Sequence, residues 1–229
     1  MHNGNGKTEL AELRATPASA VNPVLSAPSG VIPLGQREPL KPADNLQVIV
    51  KLLLSELGVD VDSQHFRDTP ARVARFFREY SRGYRLHPED ILKTFGSRNK
   101  GLIVVSEIEF FSLCPHHLLV YGGKVHFGYI PDGRIVGISK IPRLVQGLAA
   151  RMVVQEDLVA DIADAFMSVV KPLGCVVQAI GKHDCVAARG VRCPEATMTT
   201  IATRGLFEEK PQLIHEFHQS ITRAGACIR

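Results

Sequence analysis

Helical and strand-like apolar patterns follow one another along this chain in the order helix, helix, a hairpin-rich block, helix, strands, helix. That order constrains the fold more than any single motif. Strands gathered in runs pair through turns, whereas parallel strands need a crossover between successive members. The order therefore predicts an α+β fold, a largely antiparallel sheet with helices layered on one face.

Each segment is read from its own spacing. From Asp44, which reads as an N-cap, Leu46, Ile49, Val50, Leu53, Leu54 and Leu57 recur at helical intervals until Gly58. Thr69-Pro70 reads as a cap followed by a first-turn proline, and Val73, Phe76, Phe77, Tyr80 and Tyr84 mark one face of a second helix. Its other face carries Arg72, Arg75 and Arg78, a pattern that a solvated basic face and a phosphate contact both produce. Residues 102–113, rich in Ile, Val and Phe, predict a strand; Lys124 to Ile130 and Arg134 to Ile138, flanking a Pro131-Asp132-Gly133 turn, predict two more. Leu144 to Ala150, then Leu158, Ile162, Phe166 and Val169, return to helical spacing before Pro172 and Gly174. Strands at 175–182 and 196–203 and a helix from Pro211 to Ile221 complete a domain spanning 43–229. Residues 1–42 mix Gly, Pro, Ala, Ser and Asn without period; such a composition does not offset its ordering entropy, and the expectation is a disordered tail.

Composition excludes several classes. A net charge of +4 with 22% charged residues is too mild for a general nucleic-acid binder and suits a small anionic substrate. Five scattered cysteines do not make a secreted disulfide framework. With neither a membrane-length apolar window nor a secretory signal, the chain reads as soluble and cytoplasmic, without nucleic-acid or membrane partners.

Two clusters carry chemistry. Ser112-Leu113-Cys114-Pro115-His116-His117 ends one strand-like run, and Cys-x-x-His spacing lets a thiolate and an imidazole of one turn reach the same zinc ion. Lys182-His183-Asp184-Cys185 ends another, so a third ligand can arrive from there. Three protein ligands leave a fourth position for a water whose pKa falls to about 7. Of the remaining histidines, His116 and His183 read either as proton shuttles or as hydrogen-bond supports. Ser139-Lys140-Ile141-Pro142-Arg143 opens a helix whose free N–H groups and cations favour a phosphate. Gln155-Glu156 begins the next helix, where a carboxylate either answers the helix dipole or takes two N–H donors from a guanine edge. Arg189 is a further phosphate candidate.

Four blocks together resemble the GTP cyclohydrolase I family: Asp68-Thr69-Pro70-Ala71-Arg72-Val73; Ser112 to His117 with Gly123-Lys124-Val125; Gly137-Ile138-Ser139-Lys140-Ile141 through Val154-Gln155-Glu156; and His183-Asp184-Cys185 with Ala188-Arg189-Gly190. The resemblance runs from about residue 44 onward and implies the tunnelling fold, assembled as a toroidal homo-oligomer, by family expectation a decamer, with sites between subunits. It implies Cys114, His117 and Cys185 as zinc ligands, His116 and His183 as the acid–base pair, and Gln155 and Glu156 as guanine contacts. Ser139, Lys140, Arg143 and Arg189 match triphosphate contacts, with Arg72 and Arg75 donated by the first helices. The implied reaction opens the imidazole ring of GTP at C8, releases formate and yields 7,8-dihydroneopterin triphosphate, the first step of folate and pterin biosynthesis. One position departs from the pattern: Pro115 stands where the family usually has Glu, which raises the alternative of a non-catalytic or divergent nucleotide- or pterin-binding relative.

Overall fold

In the computed structural model, which describes residues 45–227 and side chains as far as residue 222, the first apolar stretch forms helix α1 (Asn45–Glu56) and ends at Gly58, φ +76°. Asp44 and the 1–42 tail lie outside the described residues. Helix α2 (Thr69–Glu79) is capped by Asp68, one residue earlier than expected, and the Asp68 carboxylate turns to Arg72 instead of capping N–H groups. Tyr84 does not continue its apolar face. Gly83 docks its backbone on a later helix, donating to Ala150 O, and a Cβ there would lie 2.3 Å from Gly147 O. The chain therefore turns into a short 3-10 helix, Arg82–Arg85, and the Tyr84 hydroxyl bonds the Met152 backbone.

Next come α3 (Pro88–Ile91), β1 (Thr94–Gly96), β2 (Ile103–Leu113), β3 (Val120–Ile130) and β4 (Arg134–Val136). They are followed by α4 (Lys140–Ala149), α5 (Gln155–Val170), β5 (Gly174–His183), α6 (Asp184–Ala187), β6 (Met198–Gly205), α7 (Leu206–Glu209) and α8 (Pro211–Cys227). The main sheet has the order β2-β3-β5-β6, antiparallel throughout. Across the Pro131–Gly133 turn, β4 does not fold back on β3. Both edges of β3 are already taken by β2 and β5, so β4 pairs instead with β1, a three-residue strand for which the sequence gives no strand signal.

Side-chain alternation along the strands divides the core in two. Val125, Phe127 and Tyr129 of β3 and Cys175, Val177 and Ala179 of β5 point to the face covered by α4 and α5. There Phe166 of α5 sits 4.6 Å from the Phe127 ring and 5.0 Å from Tyr129, edge-on. Burial of each such ring contributes about 1.5–3 kcal/mol, and each aromatic pair adds roughly 0.5–1.5. A bulge between Val105 and Ile108, with Glu107 at φ +61°, flips the parity of β2, so Ile103, Val105, Ile108 and Phe110 all serve this core. Ile130 and Val176 point the other way and are covered by Phe207 of α7 and Phe217 of α8. The main helical layer is on one face as expected; α7 and α8 depart from it because these apolar residues need cover.

Candidate metal centre at one end of the sheet

The register of the main sheet brings the two chemical clusters together. Leu113 pairs with Val120 and Tyr121 with His183, so the C-terminal ends of β2 and β5 flank the start of β3 at one end of the sheet. Cys114 follows β2 in a tight turn closed by Leu118 N–H to Cys114 O and Cys114 N–H to Leu119 O, with Leu118 at φ +55°. Neither bond needs an N–H at residue 115. Pro115 therefore fits the turn without a lost hydrogen bond, and its fixed φ stiffens the approach to the histidines.

On β5, His183 caps the one-turn helix α6 that carries Cys185. Ligand atoms of Cys114, His117 and Cys185 all lie within 4.8 Å of one another. Cys114 is buried, Cys185 half-buried and His117 exposed, so the cluster is anchored in the core and open to the outside. Burial, reinforced by the neighbouring Cys114 sulfur, holds the Cys185 thiol above the usual cysteine range. Two thiols and an imidazole at this separation match the tetrahedral preference of a borderline-soft divalent ion, whose charge deprotonates such thiols. The Nδ1 of His116 approaches Cys114 Sγ at 3.7 Å, and the Arg189 guanidinium lies against His117 Nε2.

His183 is held from two sides. Its ring stacks on buried Tyr121, centroids 4.5 Å apart and 3° from parallel, and its Nε2 meets Gln155 Oε1 at 3.1 Å. Burial lowers its basicity, opposed by the Glu156 carboxylate. Tyr121, whose hydroxyl donates to Val153 O, escapes sequence reading because only strand register places it under His183.

The remaining expected residues divide in two. Glu156 is exposed and close enough to act electrostatically on His183 and Tyr121. Gln155 does not present its amide to an open pocket: it is fully buried, with Nε2 donating into β5 and β6, so the reading of Gln155 as a base contact does not fit its placement. Ser139, Lys140 and Arg143 cluster at the N-terminus of α4, where the Ser139 side chain makes no capping bond. That helix ends beside β2, Leu113 N–H reaching Arg151 O just beyond it, so its N-terminus lies about 15 Å back along the helix. Arg72 pairs with Asp68 on its own helix, and Arg75 makes no ion pair among the described residues. Ser139, Lys140 and Arg143 therefore stand apart from the Cys114, His117 and Cys185 cluster. Two clefts, one lined by Tyr84, Arg151, Asp157 and Asp161, the other by Tyr80, Arg82, Glu109 and Phe111, include none of the cluster residues.

Fold and donor set define an α+β protein with a Cys2His cluster that could hold a metal ion at the end of an antiparallel sheet. The family model described as GTP cyclohydrolase I matches residues 46–222. GTP cyclohydrolase 1 of Desulforamulus reducens is 42% identical over 72% of this chain and 89% of its own length. The protein of the same name from Thermobifida fusca is 41% identical over 79% and 86%, and that of Mycolicibacterium paratuberculosis 45% over 71% and 81%. The chain belongs to the GTP cyclohydrolase I family. Among the described residues no helix is long and apolar enough to cross a membrane.

Proposed function

We propose that this protein is a zinc-dependent GTP cyclohydrolase that hydrolyses GTP at C8, releases formate and forms 7,8-dihydroneopterin triphosphate in the cytoplasm, at the entry to folate and pterin biosynthesis. The observation that carries the reading is the convergence of Cys114, His117 and Cys185 beside His116 and His183, in a chain of this family. Zinc held by those three residues supplies Lewis acidity that makes water nucleophilic near neutral pH. His116 and His183 move protons between the attacking water and the departing nitrogen. Glu156, with its carboxylate free, takes the paired N–H donors of the guanine edge. Arg189, beside His117, supplies a guanidinium for the triphosphate in this reading.

Assembly completes the site in this reading. Arg72, Arg75, Ser139, Lys140 and Arg143 are exposed or half-exposed, as expected of residues that bind the triphosphate at a neighbour's site. Helix α1 supports a homo-oligomer independently. Val50 packs inward, while Val48, Ile49, Leu52, Leu53 and Leu57 are each more than half exposed along one stripe. A second copy covering that stripe removes about 1.5–3 kcal/mol of exposed surface per side chain. The toroidal decamer of the family is the expected form. Changing Leu52 and Leu53 together to Glu is expected to lower the assembly mass in light scattering while far-UV circular dichroism stays unchanged; an unaltered mass rules α1 out of the interface.

The activity itself is tested by supplying GTP to the zinc-loaded protein and measuring formate and pterin fluorescence together. Equal formation of both, lost with a chelator and restored by zinc, is the expected result. Absence of formate from zinc-loaded protein overturns the reading.

A further inference from the structure

Gln155 has no exposed surface, and every polar atom of its side chain is engaged. Its Nε2 faces Met198 O at 3.0 Å, Thr200 Oγ1 at 3.1 Å and Ala179 O at 3.3 Å, bridging the paired strands β5 and β6 from the first turn of α5. Two of those partners are carbonyl oxygens, which only accept. The amide nitrogen is therefore fixed on the strand side, and rotating the group would set oxygen against oxygen. Oε1 must face His183, where it can only accept, so the His183 Nε2 must carry the proton.

The slot for Oε1 is itself built by sequence. Gly181, two residues before His183, has no side chain, and a Cβ there would lie 2.4 Å from Gln155 Oε1. The Tyr121 ring, parallel to the imidazole, prevents the histidine from swinging away from this acceptor.

We propose that Gln155 is a positioning residue: it locks His183 in the Nε2–H tautomer, leaving Nδ1 as the ring's only free lone pair, and Gly181 preserves the room for that lock. His183 then enters the reaction as a base through Nδ1. The proton it takes from the attacking water rests on an imidazolium whose Nε2–H remains bonded to the Gln155 carbonyl, and leaves again from Nδ1 to the departing nitrogen. No N–H of Gln155 is free for the purine, so its effect on rate is separate from substrate affinity. Only the activity readouts of this assignment rest on the GTP cyclohydrolase reading.

The test uses zinc-loaded full-length protein, with kcat and KM from formate release, GTP Kd from calorimetry, and solid-state 15N spectra of labelled histidine in which the His183 signal is assigned by its absence in His183→Asn. Gln155→Leu is expected to lower kcat on the order of 10–100-fold, the size seen when a metal-ligating histidine loses its outer hydrogen-bond partner and taken here as the scale for a proton-carrying one, with KM and Kd changed less than about threefold. Gly181→Ala, which displaces the acceptor while keeping Gln155, is expected to lower kcat by a smaller factor in the same direction at unchanged Kd, and it carries the test should Gln155→Leu fail to fold. In the spectra the wild-type His183 carries its proton on Nε2, and that preference is lost in either variant. A rise in KM and Kd at constant kcat makes Gln155 a base contact and overturns the proposal; so does an unchanged kcat, or a wild-type proton on Nδ1. If the wild type releases no formate, the GTP reading fails, and the spectra alone decide the role of Gln155.

Discussion

Cys185→Ala is expected to lose its zinc on dialysis and to release formate from GTP at least on the order of 10³-fold more slowly than the wild type. Losing a group that merely supports a metal ligand costs about 10–100-fold in affinity or activity; losing one of three ligands costs more, because Cys114 and His117 alone leave two positions to be filled from solvent. The thiol is half-buried at the margin of the core, so its removal leaves the sheet and the α4–α5 layer intact. Metal content by mass spectrometry, formate release and circular dichroism separate these effects. The companion variant His116→Gln is expected to keep one zinc per chain and still lose turnover, because the proposed reaction gives His116 a proton to move and no bond to the metal. Should Cys185→Ala retain a full zinc complement or full turnover, the ligand set drawn from Cys114, His117 and Cys185 is wrong.

The grouping of Cys114, His117 and Cys185 was legible in the sequence for a physical reason: Cys114 and Cys185 lie just beyond the ends of two long strands, and antiparallel pairing of both with β3 carries those ends to a common edge. What the sequence concealed lay where glycine or short length breaks the pattern. The start of β3 at Val120 was hidden by Gly122-Gly123, which reads as a strand breaker until the close approach of Phe111 and Ile180 to those positions is seen. Strand β1 is too short for alternation to register, and the partner of β4 depended on β3 having no free edge. Gln155 shows a different limit. A Gln-Glu pair at a helix start gives no sign of which side chain faces the sheet and which faces outward; packing of α5 on β5 and β6 decides it.

Gly123→Ala is expected to destabilise the protein by about 3–5 kcal/mol, beyond the usual 1–3 kcal/mol of core overpacking. Gly123 lies in the central strand opposite Gly181, and a Cβ there would sit 2.0 Å from Ile180 O and 2.9 Å from Gly181 Cα. Both obstacles are backbone. No rotamer change relieves them, so the methyl group must force β3 and β5 apart, breaking ladder bonds with no water to replace them. The damage falls next to the site. Tyr121 and His183 pair two residues away, and the turn bearing Cys114 and His117 hangs from that end of β3, so a separated register also parts these two residues from Cys185. Thermal unfolding monitored with and without zinc is expected to show a midpoint lower by roughly 6–20 °C and a smaller stabilisation by the metal. Gly96→Ala supplies the comparison, since a Cβ at that exposed position meets nothing within 4 Å, and its stability is expected to stay within the about ±0.5 kcal/mol typical of surface changes, a midpoint shift of at most roughly 2 °C. Equal midpoints for Gly123→Ala and wild type would mean that the β3–β5 ladder yields at Gly123, and that the close pairing of these strands is not what holds the two halves of the metal cluster together.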